Sequence, residues 1–457
     1  MKIDRQLIQK YNKPVPRYTS YPPANFFGDL DTDVYLPLVE KSNAQNPNNI
    51  SIYIHIPFCK RLCHYCGCNS CPMAKSDEVA AYIAAVKKEI QIVLPLLDKK
   101  RKISQIHYGG GTPNAIDFSY LHELNQLFFD NFKFIENAEV AIECHPAYLD
   151  ENYVAGLKKA GFNRFSLGLQ DFNRDVLKAV NRTPSKLPVD ELVNFIRHDK
   201  TTTVNFDFIY GLPLQTKNSF LQTIEKAIEI GPDRLVTFSY AHVPWVNSNQ
   251  KKLEAFGLPE ASSKIDMTEG AFNLLEANGY RSIGMDHYVL KKDELFQAQQ
   301  NGFLHRNFQG YCTRTTTGQV YAFGVSGISQ LNQVFAQNTK SIPEYIASVN
   351  AGSIPIVKGY QLSDNENITG SFIAQLMCNK KIDWNVFAES EGIHKNDLKN
   401  FIIIDEQQLK AFEQDQIITR QANEIQITEN GLPFIRNVVA SFDPKMRHSN
   451  KTFSKAV

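Results

Sequence analysis

The stretch ISIYIHI, residues 50–56, runs directly into the loop PFCKRLCHYCGCNSC, residues 57–71. Isoleucine alternates with Ser, Tyr and His in the first stretch, which indicates a β-strand with Tyr53 and His55 on the face opposite the isoleucines. The loop holds five of the eight cysteines of the chain. A strand that leads into so many thiols predicts a functional site at the end of that strand.

The pattern of a β-rich run followed by a helical stretch recurs along the chain. The further β-rich runs are ISQIHY (103–108), AEVAIE (138–143), RFSLGL (164–169), TVNFDFIYG (203–211) and RLVTFSYA (234–241). Amphipathic stretches between them include residues 77–97, 120–132 and 219–230. Strands and helices that alternate at this spacing predict βα units around a parallel sheet. About six units, without a dinucleotide-type glycine motif after the first strand, favour an α/β fold with a partial (β/α)6 TIM-like barrel.

Polar residues stand where most of these runs end. They are Gly109–Thr112, Glu143, Gln170, Asp207 and Tyr240–His242. The C-terminal ends of barrel strands converge on the active site, so these residues predict a shared cavity. The alternative interpretation is that strands simply end where polar sequence begins.

The two ends of the chain depart from this pattern and divide it into three parts. Residues 1–40 predict an irregular arm covering the site, because residues 12–29 hold four prolines and four aromatic residues. We assign residues 41–350 to the barrel. We assign residues 351–457 to a mostly helical, winged-helix-like domain. In that domain we expect helices over 368–383, 394–404 and 432–442 and a hairpin over 416–431.

Composition excludes several classes of protein. The chain has 457 residues, 43% of them hydrophobic, and 49 Lys and Arg balance 48 Asp and Glu to a net charge of +1. This balance gives no reason to expect a nucleic-acid or membrane partner. No secretory leader or membrane-spanning run is present, so we expect a cytoplasmic protein. In a reducing compartment, clustered cysteines bind metal or perform redox chemistry more often than they form disulfides.

The cysteine spacing allows more than one kind of metal site. Cys59, Cys63 and Cys66 form the pattern C-x3-C-x2-C, and Cys68 and Cys71 follow closely. A zinc site usually takes two separated pairs of ligands, and this chain has no second pair elsewhere. An iron–sulfur cluster is instead held by soft thiolates at short spacings. Three ligands on a cubane would leave one iron open for chemistry.

This loop, placed after the first strand of a βα array, resembles the signature of the radical S-adenosylmethionine superfamily. The resemblance implies a [4Fe–4S] cluster on Cys59, Cys63 and Cys66, with the free iron binding S-adenosylmethionine. Reductive cleavage would then release a 5′-deoxyadenosyl radical. GGGTP, residues 109–113, is similar to the site in this superfamily for the methionine amino group.

A closer resemblance is to the oxygen-independent coproporphyrinogen III oxidases, or dehydrogenases, of haem biosynthesis. The motifs that carry it are RYTSYPP, YIHIPFCKRLCHYCGCN, HYGGGTP, FNRFSLGLQDFN, FDFIYGLP, SYAHVP, GMDHYV and HRNFQGY. It implies oxidative decarboxylation of two propionate side chains of coproporphyrinogen III to vinyl groups, giving protoporphyrinogen IX and CO2. The β-hydrogen of a propionate is not acidic, so a radical is better suited to remove it than a side-chain base.

The same resemblance assigns further residues. Cys68 matches a cysteine that the reaction requires but that is not a cluster ligand. Two S-adenosylmethionine molecules are implied, with contacts to the first from Tyr53, Gly110, Glu143 and Ile328. Contacts to the second are implied for Tyr65, Gly111, Thr112, Gln170, Arg182, Asp207 and Ala241. Each of these residues also has an ordinary structural interpretation, such as packing for Tyr53, a buried hydrogen-bonding group for Asp207 or a surface ion pair for Arg182.

Several features lie outside the resemblance. Cys71 is extra to the motif. Cys144 stands where a small or apolar residue is expected, and His145 stands where an acidic residue or Asn is expected. Arg17 and Arg306 are candidates for pairing with substrate carboxylates. We expect a monomer and an unidentified one-electron donor resembling flavodoxin or ferredoxin. The alternatives are a related haem chaperone, disfavoured by the N-terminal arm and by Gly67–Asn69, and a non-catalytic zinc scaffold.

Overall fold

The structure is a computed structural model that describes residues 1–448, 451 and 453. It divides into two compact units. The barrel unit consists of Asp29–Asn278 and Thr315–Gly359. The terminal unit consists of Met1–Gly28, Gly279–Arg314 and the chain from Tyr360 onward. The sequence predicted three parts that are each continuous in the chain, whereas each compact unit combines separate segments. The predicted domain boundaries stay a prediction.

Six parallel strands form the centre of the barrel unit, and each is hydrogen-bonded to its neighbours in chain order. They are β1 Ile50–Ile56, β2 Lys102–Gly110, β3 Lys133–Cys144, β4 Arg164–Gln170, β5 Thr203–Tyr210 and β6 Arg234–Ser239. The predicted partial (β/α)6 barrel is therefore confirmed. All six runs singled out from sequence became strands because each is long enough and apolar enough to be buried between helices.

Additional strands flank β1 on its other side. β7 Gln319–Phe323 pairs with β1 in parallel, and β8 Ile328–Leu331 and β9 Val334–Asn338 continue the sheet as antiparallel strands. β10 is Ile356–Gln361. The sequence pattern missed these strands because they are short and because β7, β8 and β9 follow one another without a helix between them.

Helices cover the sheet of the barrel unit with their apolar faces. In Ser76–Val93 the buried residues recur at helical spacing, from Val79 through Ile83 and Val86 to Ile90. The other helices of this unit are Thr32–Lys41, Phe118–Phe129, Glu151–Lys159, Arg174–Ala179, Val189–Arg197, Lys217–Ile230, Lys251–Glu254, Ala261–Ala277 and Ile342–Asn350. The helices predicted over 77–97, 120–132 and 219–230 are confirmed.

The terminal unit combines helices with small antiparallel sheets. Its helices are Arg5–Tyr11, Glu294–Gln300, Asp364–Asn379, Trp384–Ser390, Glu406–Gln414 and Ile435–Ala440. Two hairpins are Tyr280–Ile283 with His287–Leu290 and Leu304–Arg306 with Tyr311–Thr313. The strands Lys381–Asp383, Glu424–Ile427 and Ile418–Gln421 form a third sheet. A three-stranded sheet among helices agrees with the winged-helix-like architecture expected for the C-terminal residues.

The prediction of a wholly irregular N-terminal arm is wrong. Helices occupy Arg5–Tyr11 and Thr32–Lys41, and each begins after an aspartate whose side chain accepts a backbone N–H, Asp4 and Asp31 respectively. The prolines that motivated the prediction lie between these helices, where only the short 3-10 turn Ala24–Phe26 forms. Residues 394–404 likewise form a 3-10 helix, Lys395–Asn400, rather than an α-helix. Within the described part of the chain, no helix has the length and apolar character needed to cross a membrane.

Candidate active site

The cysteine loop, residues 57–73, leaves the C-terminal end of β1 and closes on itself. The backbone N–H of Cys71 donates to the carbonyl oxygen of Pro57 over 2.9 Å, and that of Met73 donates to Cys59 over 2.8 Å. Phe58–Cys59 and Cys71–Pro72 thus pair as a two-residue parallel ladder. Cys71, which is extra to the motif, contributes its backbone to this closure.

Two residues in the segment that follows β4, Val180 and Asn181, hold the outer part of the loop. Val180 accepts the backbone N–H of His64 over 3.0 Å, and the Asn181 side chain donates to the carbonyl of Leu62 over 2.8 Å. Asn181 has φ +59°, a left-handed conformation that Asn tolerates better than most residues. Sequence analysis missed Asn181, because its partner lies 119 positions earlier in the chain.

The three thiols of the C-x3-C-x2-C pattern interact electrostatically. Burial raises the pKa of Cys59 to about 11, and the charges of Cys66 and Cys63 add to the rise. Hydrogen bonds from Cys68 lower the pKa of Cys66 to about 6, against the effect of burial. The three sulfur atoms therefore lie close enough to feel one another's charge. In residues 1–448, 451 and 453, no three His, Cys, Asp or Glu side chains converge on the position of a single metal ion.

This donor set fits an iron–sulfur cluster. Thiolates are the ligands that such clusters take, and one cluster presents a separate iron to each of them. Cys59 is buried and Cys63 and Cys66 are half-buried, whereas Cys68 is exposed. The backbone N–H of Cys68 donates to Cys66 Sγ over 3.4 Å, so Cys68 supports one ligand of the set.

Arg182 brings a positive charge to the cysteine loop from the segment after β4. Its Nη1 donates to Cys63 Sγ over 3.4 Å and to the Tyr65 hydroxyl over 3.1 Å. Its Nη2 donates to the carbonyl oxygen of Gly168. The guanidinium therefore links a thiol, the loop and a strand end, and the interpretation of Arg182 as a surface ion pair is wrong.

A glycine-rich turn at the end of β2 lets the backbone approach the cysteine loop. A Cβ atom on Gly111 would lie 2.4 Å from the carbonyl oxygen of Pro57 and 3.0 Å from Cys59 Sγ. Gly110 has φ +116°, and a Cβ there would lie 2.7 Å from the His55 ring. The hydroxyl of Thr112 contacts Cys59 Sγ at 3.3 Å. Larger residues at 110 and 111 would push the turn away from the thiols.

Tyr53 and His55 lie on one face of β1, as the alternation predicted. His55 Nε2 lies 2.9 Å from the carbonyl oxygen of Asn69, which makes Nε2 the protonated nitrogen, and its Nδ1 accepts from the Tyr53 hydroxyl over 3.1 Å. Burial lowers the pKa of His55, so the neutral ring is favoured. Glu143, at the end of β3, contacts His107 Nε2 over 3.1 Å.

Gln170 is the last residue of β4, and Asp207 lies in the second half of β5. Gln170 has φ +69°, and its buried Oε1 has no hydrogen-bond partner, which marks an acceptor available to a ligand. Asp207 accepts from Ser166 over 2.7 Å and from Asn205 over 2.8 Å, so its carboxylate is held in one orientation.

The remaining assigned residues occupy strand ends. Ala241 follows β6, and Ile328 begins β8 after the loop that leaves β7. His145 accepts the backbone N–H of Ala147 over 3.2 Å and is buried together with Cys144. The unexpected pair Cys144–His145 therefore caps a 3-10 turn and leaves Glu143 in place.

The assigned residues fall into two neighbouring groups. A Cβ atom added to Gly109 would lie 2.8 Å from Glu143 Oε1 and 3.1 Å from the Tyr53 ring. Tyr53 and Glu143 therefore both lie against the glycine-rich turn. A Cβ atom added to Gly168 would lie 2.8 Å from Arg182 Nη2 and 2.9 Å from Gln170 Nε2. Arg182 and Gln170 therefore lie close together, and Arg182 contacts Tyr65. Thr112 and Gly111 lie beside Cys59.

The terminal unit contains its own group of arginines. Arg17 Nη2 donates to Asp286 Oδ2 over 2.8 Å. Arg306 lies with Cζ 5.1 Å from the centroid of the Tyr311 ring, and its Nε and Nη1 are buried without a hydrogen-bond partner. The charges of Arg17 and Arg306 reinforce the effect of burial and lower the pKa of Arg436 to about 9. This group of cations therefore has unused donors for an anion.

Comparison with known proteins agrees with this geometry. Residues 53–227 match the Radical SAM superfamily. The chain is 36% identical to the oxygen-independent coproporphyrinogen III oxidase of Synechocystis sp., over 100% of this chain and 98% of the relative. It is 36% identical to the enzyme of the same name from Escherichia coli, over 99% of this chain and 98% of the relative. The chain belongs to the oxygen-independent coproporphyrinogen III oxidase family.

The structural comparison leads to the same family. The solved structure of coproporphyrinogen III oxidase from Escherichia coli, a radical SAM enzyme, matches with a TM-score of 0.88 and 34% identity, over 97% of this chain and 99% of that one. The expected resemblance and the expectation of an enzyme are confirmed. The family assignment sets aside the zinc-scaffold and haem-chaperone alternatives.

Proposed function

We propose that this chain oxidatively decarboxylates two propionate side chains of coproporphyrinogen III to vinyl groups, releasing protoporphyrinogen IX and CO2 without oxygen. One observation carries the proposal. Cys59, Cys63 and Cys66 come together at the C-terminal end of β1, with Arg182 donating to Cys63. This is a site of three thiols in contact with residues that the family assigns to S-adenosylmethionine.

The three cysteines would hold a [4Fe–4S] cluster. When bound, the cluster supplies the single electron that cleaves S-adenosylmethionine into methionine and a 5′-deoxyadenosyl radical. Cys68 would act as a positioning residue, since its N–H and thiol hydrogen-bond to Cys66 and its own sulfur lies outside the ligand pattern. Thr112 would do the same for Cys59, over 3.3 Å.

The first S-adenosylmethionine would bind beside Tyr53, Gly110, Glu143 and Ile328. The Glu143 carboxylate offers an acceptor to an ammonium or ribose group. The carbonyl oxygen of Asn69 determines the tautomer of His55, and His55 Nδ1 in turn accepts from the Tyr53 hydroxyl. This hydrogen-bonded pair would hold the Tyr53 ring in one orientation at the side of the binding site. Gly110 gives the ligand access to the backbone.

The second S-adenosylmethionine would bind among Tyr65, Gly111, Thr112, Gln170, Arg182, Asp207 and Ala241. Arg182 would pair with the ligand carboxylate while keeping its contact with Tyr65. The unpartnered Oε1 of Gln170 would accept from the ligand, and the oriented carboxylate of Asp207 would take a ribose hydroxyl or the sulfonium charge.

The substrate is a tetracarboxylate, so it requires cations. Arg306 supports this part of the proposal, because a buried guanidinium with two unused donor atoms is costly unless an anion pairs with it. We propose that Arg306 binds one propionate that does not react. Arg17 shares its charge with Asp286 and would contribute less.

Anaerobic turnover tests the function. The protein, its reconstituted cluster, dithionite, S-adenosylmethionine and coproporphyrinogen III should yield protoporphyrinogen IX and 5′-deoxyadenosine. Cys63→Ala should abolish both products, whereas Cys71→Ala, in the same loop but outside the ligand pattern, should retain them. Absence of both products from the wild-type protein under these conditions would refute the proposal.

A further inference from the structure

The segment that follows β6 in the barrel unit exposes large apolar side chains. Trp245 is 70% exposed, Val246 is 71% exposed and Phe256 is 48% exposed. Three large apolar residues within twelve positions are more than the scattered hydrophobic residues of an ordinary surface. A group of this kind marks a surface that another molecule covers.

This segment is attached directly to the cysteine loop. Asn247 Nδ2 donates to the carbonyl oxygen of Cys66 over 2.6 Å, and Gln250 Nε2 donates to that of Tyr65 over 2.9 Å. Gln250 is only 2% exposed, and its Oε1 accepts the backbone N–H of Val243. The exposed apolar residues are therefore carried by the same short segment that supports the ligand Cys66.

Cations surround the same place. Arg61 belongs to the cysteine loop and donates to Asn181 Oδ1 over 2.8 Å. Lys252 donates to Asn249 Oδ1 over 3.1 Å, in the segment whose Asn247 and Gln250 bond to that loop. Lys60, Arg61, Lys251 and Lys252 are all exposed. The acidic residue of the segment, Glu254, contacts His242 at 3.1 Å. The local charge is thus positive, although the whole chain carries only +1.

We infer that this donor face, formed by Arg61, Trp245, Val246, Lys251, Lys252 and Phe256, is the docking surface for an acidic one-electron carrier protein. The inference rests on the proposed function, which needs one external electron for each S-adenosylmethionine that is cleaved. The reduced carrier loses that electron and the cluster gains it. A positively charged surface that also exposes apolar side chains suits an acidic protein whose redox group is exposed.

Direct binding tests the inference without turnover. The holoenzyme is titrated with an oxidised, acidic flavodoxin under anaerobic conditions, and the dissociation constant is measured by calorimetry at low and moderate salt. Lys251→Glu/Lys252→Glu and Trp245→Ala should each raise the dissociation constant by about tenfold or more, and added salt should weaken wild-type binding. The matched control is Lys99→Glu/Lys100→Glu, because these exposed lysines precede the N-terminal end of β2, whereas the cysteine loop leaves the C-terminal end of the parallel strand β1.

Electron delivery gives the second readout. With reduced flavodoxin, formation of 5′-deoxyadenosine should slow by about tenfold in the donor-face variants and stay unchanged in the control. With dithionite, a small reductant that needs no docking, the variants should match the wild type. Equal flavodoxin affinity in variant, control and wild type would overturn the inference.

Two other outcomes are separable. If the donor face instead binds vesicles of anionic phospholipid and the variants lose only that binding, the face is a membrane contact and the inference is wrong. If wild-type protein makes no 5′-deoxyadenosine even with dithionite, the proposed function fails, while the flavodoxin titration still reports on the docking surface.

Discussion

Arg182 Nη1 lies 3.4 Å from Cys63 Sγ, although the two residues are 119 positions apart in the chain. The same nitrogen lies 3.1 Å from the Tyr65 hydroxyl. A guanidinium held by a thiol and a hydroxyl on the cysteine loop is placed to receive a carboxylate. Arg182 therefore connects the cysteine loop with the end of β4.

Lysine cannot replace Arg182, because one ammonium cannot donate to Cys63, Tyr65 and Gly168 in the fixed geometry of a guanidinium. We expect Arg182→Lys to lower the rate of protoporphyrinogen IX formation by about 10- to 100-fold. Product formation and S-adenosylmethionine binding measure the effect. Arg174→Lys, at an exposed position earlier in the same connection, should be neutral; equal rates in both variants would refute the assigned role of Arg182.

Gly111 approaches the cysteine loop too closely to carry a side chain. A Cβ atom there would lie 2.4 Å from the Pro57 carbonyl oxygen. We expect Gly111→Ala to reduce the iron content after reconstitution to about half or less, since the loop must shift to make room. Gly67→Ala is the control, because a Cβ at Gly67 meets no atom within 4 Å. Full iron content in Gly111→Ala would show that the turn can move without cost.

Glu89 makes stability depend on pH. It is 1% exposed and accepts from Gly324, Asn338 and Tyr345, and burial raises its pKa to about 7. The folded state therefore holds a proton that the unfolded state has lost between about pH 4.5 and pH 7, so stability falls as pH rises through this window.

Glu89→Gln removes that titration. We expect the free energy of unfolding of the wild type to fall by about 2 kcal/mol more than that of Glu89→Gln between pH 5 and pH 7, measured by urea denaturation at each pH. The variant should also be less stable at pH 7, because its amide nitrogen would face groups that are themselves donors. Parallel pH profiles for the two proteins would contradict the predicted titration.

Arg306 should contribute to substrate affinity rather than to radical generation. Arg306→Met removes the buried donors Nε and Nη1, and we expect the KM for coproporphyrinogen III to rise by about tenfold. Cleavage of S-adenosylmethionine without substrate should not change. Arg420→Met, which removes a surface ion pair with Glu406 in the same unit, serves as the control. An unchanged KM for Arg306→Met would exclude it from carboxylate binding.

Local sequence patterns were sufficient to predict the six barrel strands and the cysteine motif of this protein. Alternating or continuous β-branched runs such as 50–56 and 203–211 predicted the six strands, because burial between helices imposes that composition on adjacent residues. The thiols of Cys59, Cys63 and Cys66 were recognisable for a similar reason, since ligands that come from one short loop keep a fixed spacing in the chain.

Only the tertiary structure revealed how that loop is held. Asn181, Asn247 and Gln250 bond to its backbone from more than a hundred positions away, and no sequence spacing predicts such pairs. The sequence also did not predict that one compact unit combines three separate segments, Met1–Gly28, Gly279–Arg314 and the chain from Tyr360 onward. Adjacent residues constrain each other through the backbone, so strands and loop motifs can be predicted from sequence. Distant residues meet only because the packed core brings them together. The hydrogen bonds that hold the cysteine loop could therefore be found only in the tertiary structure.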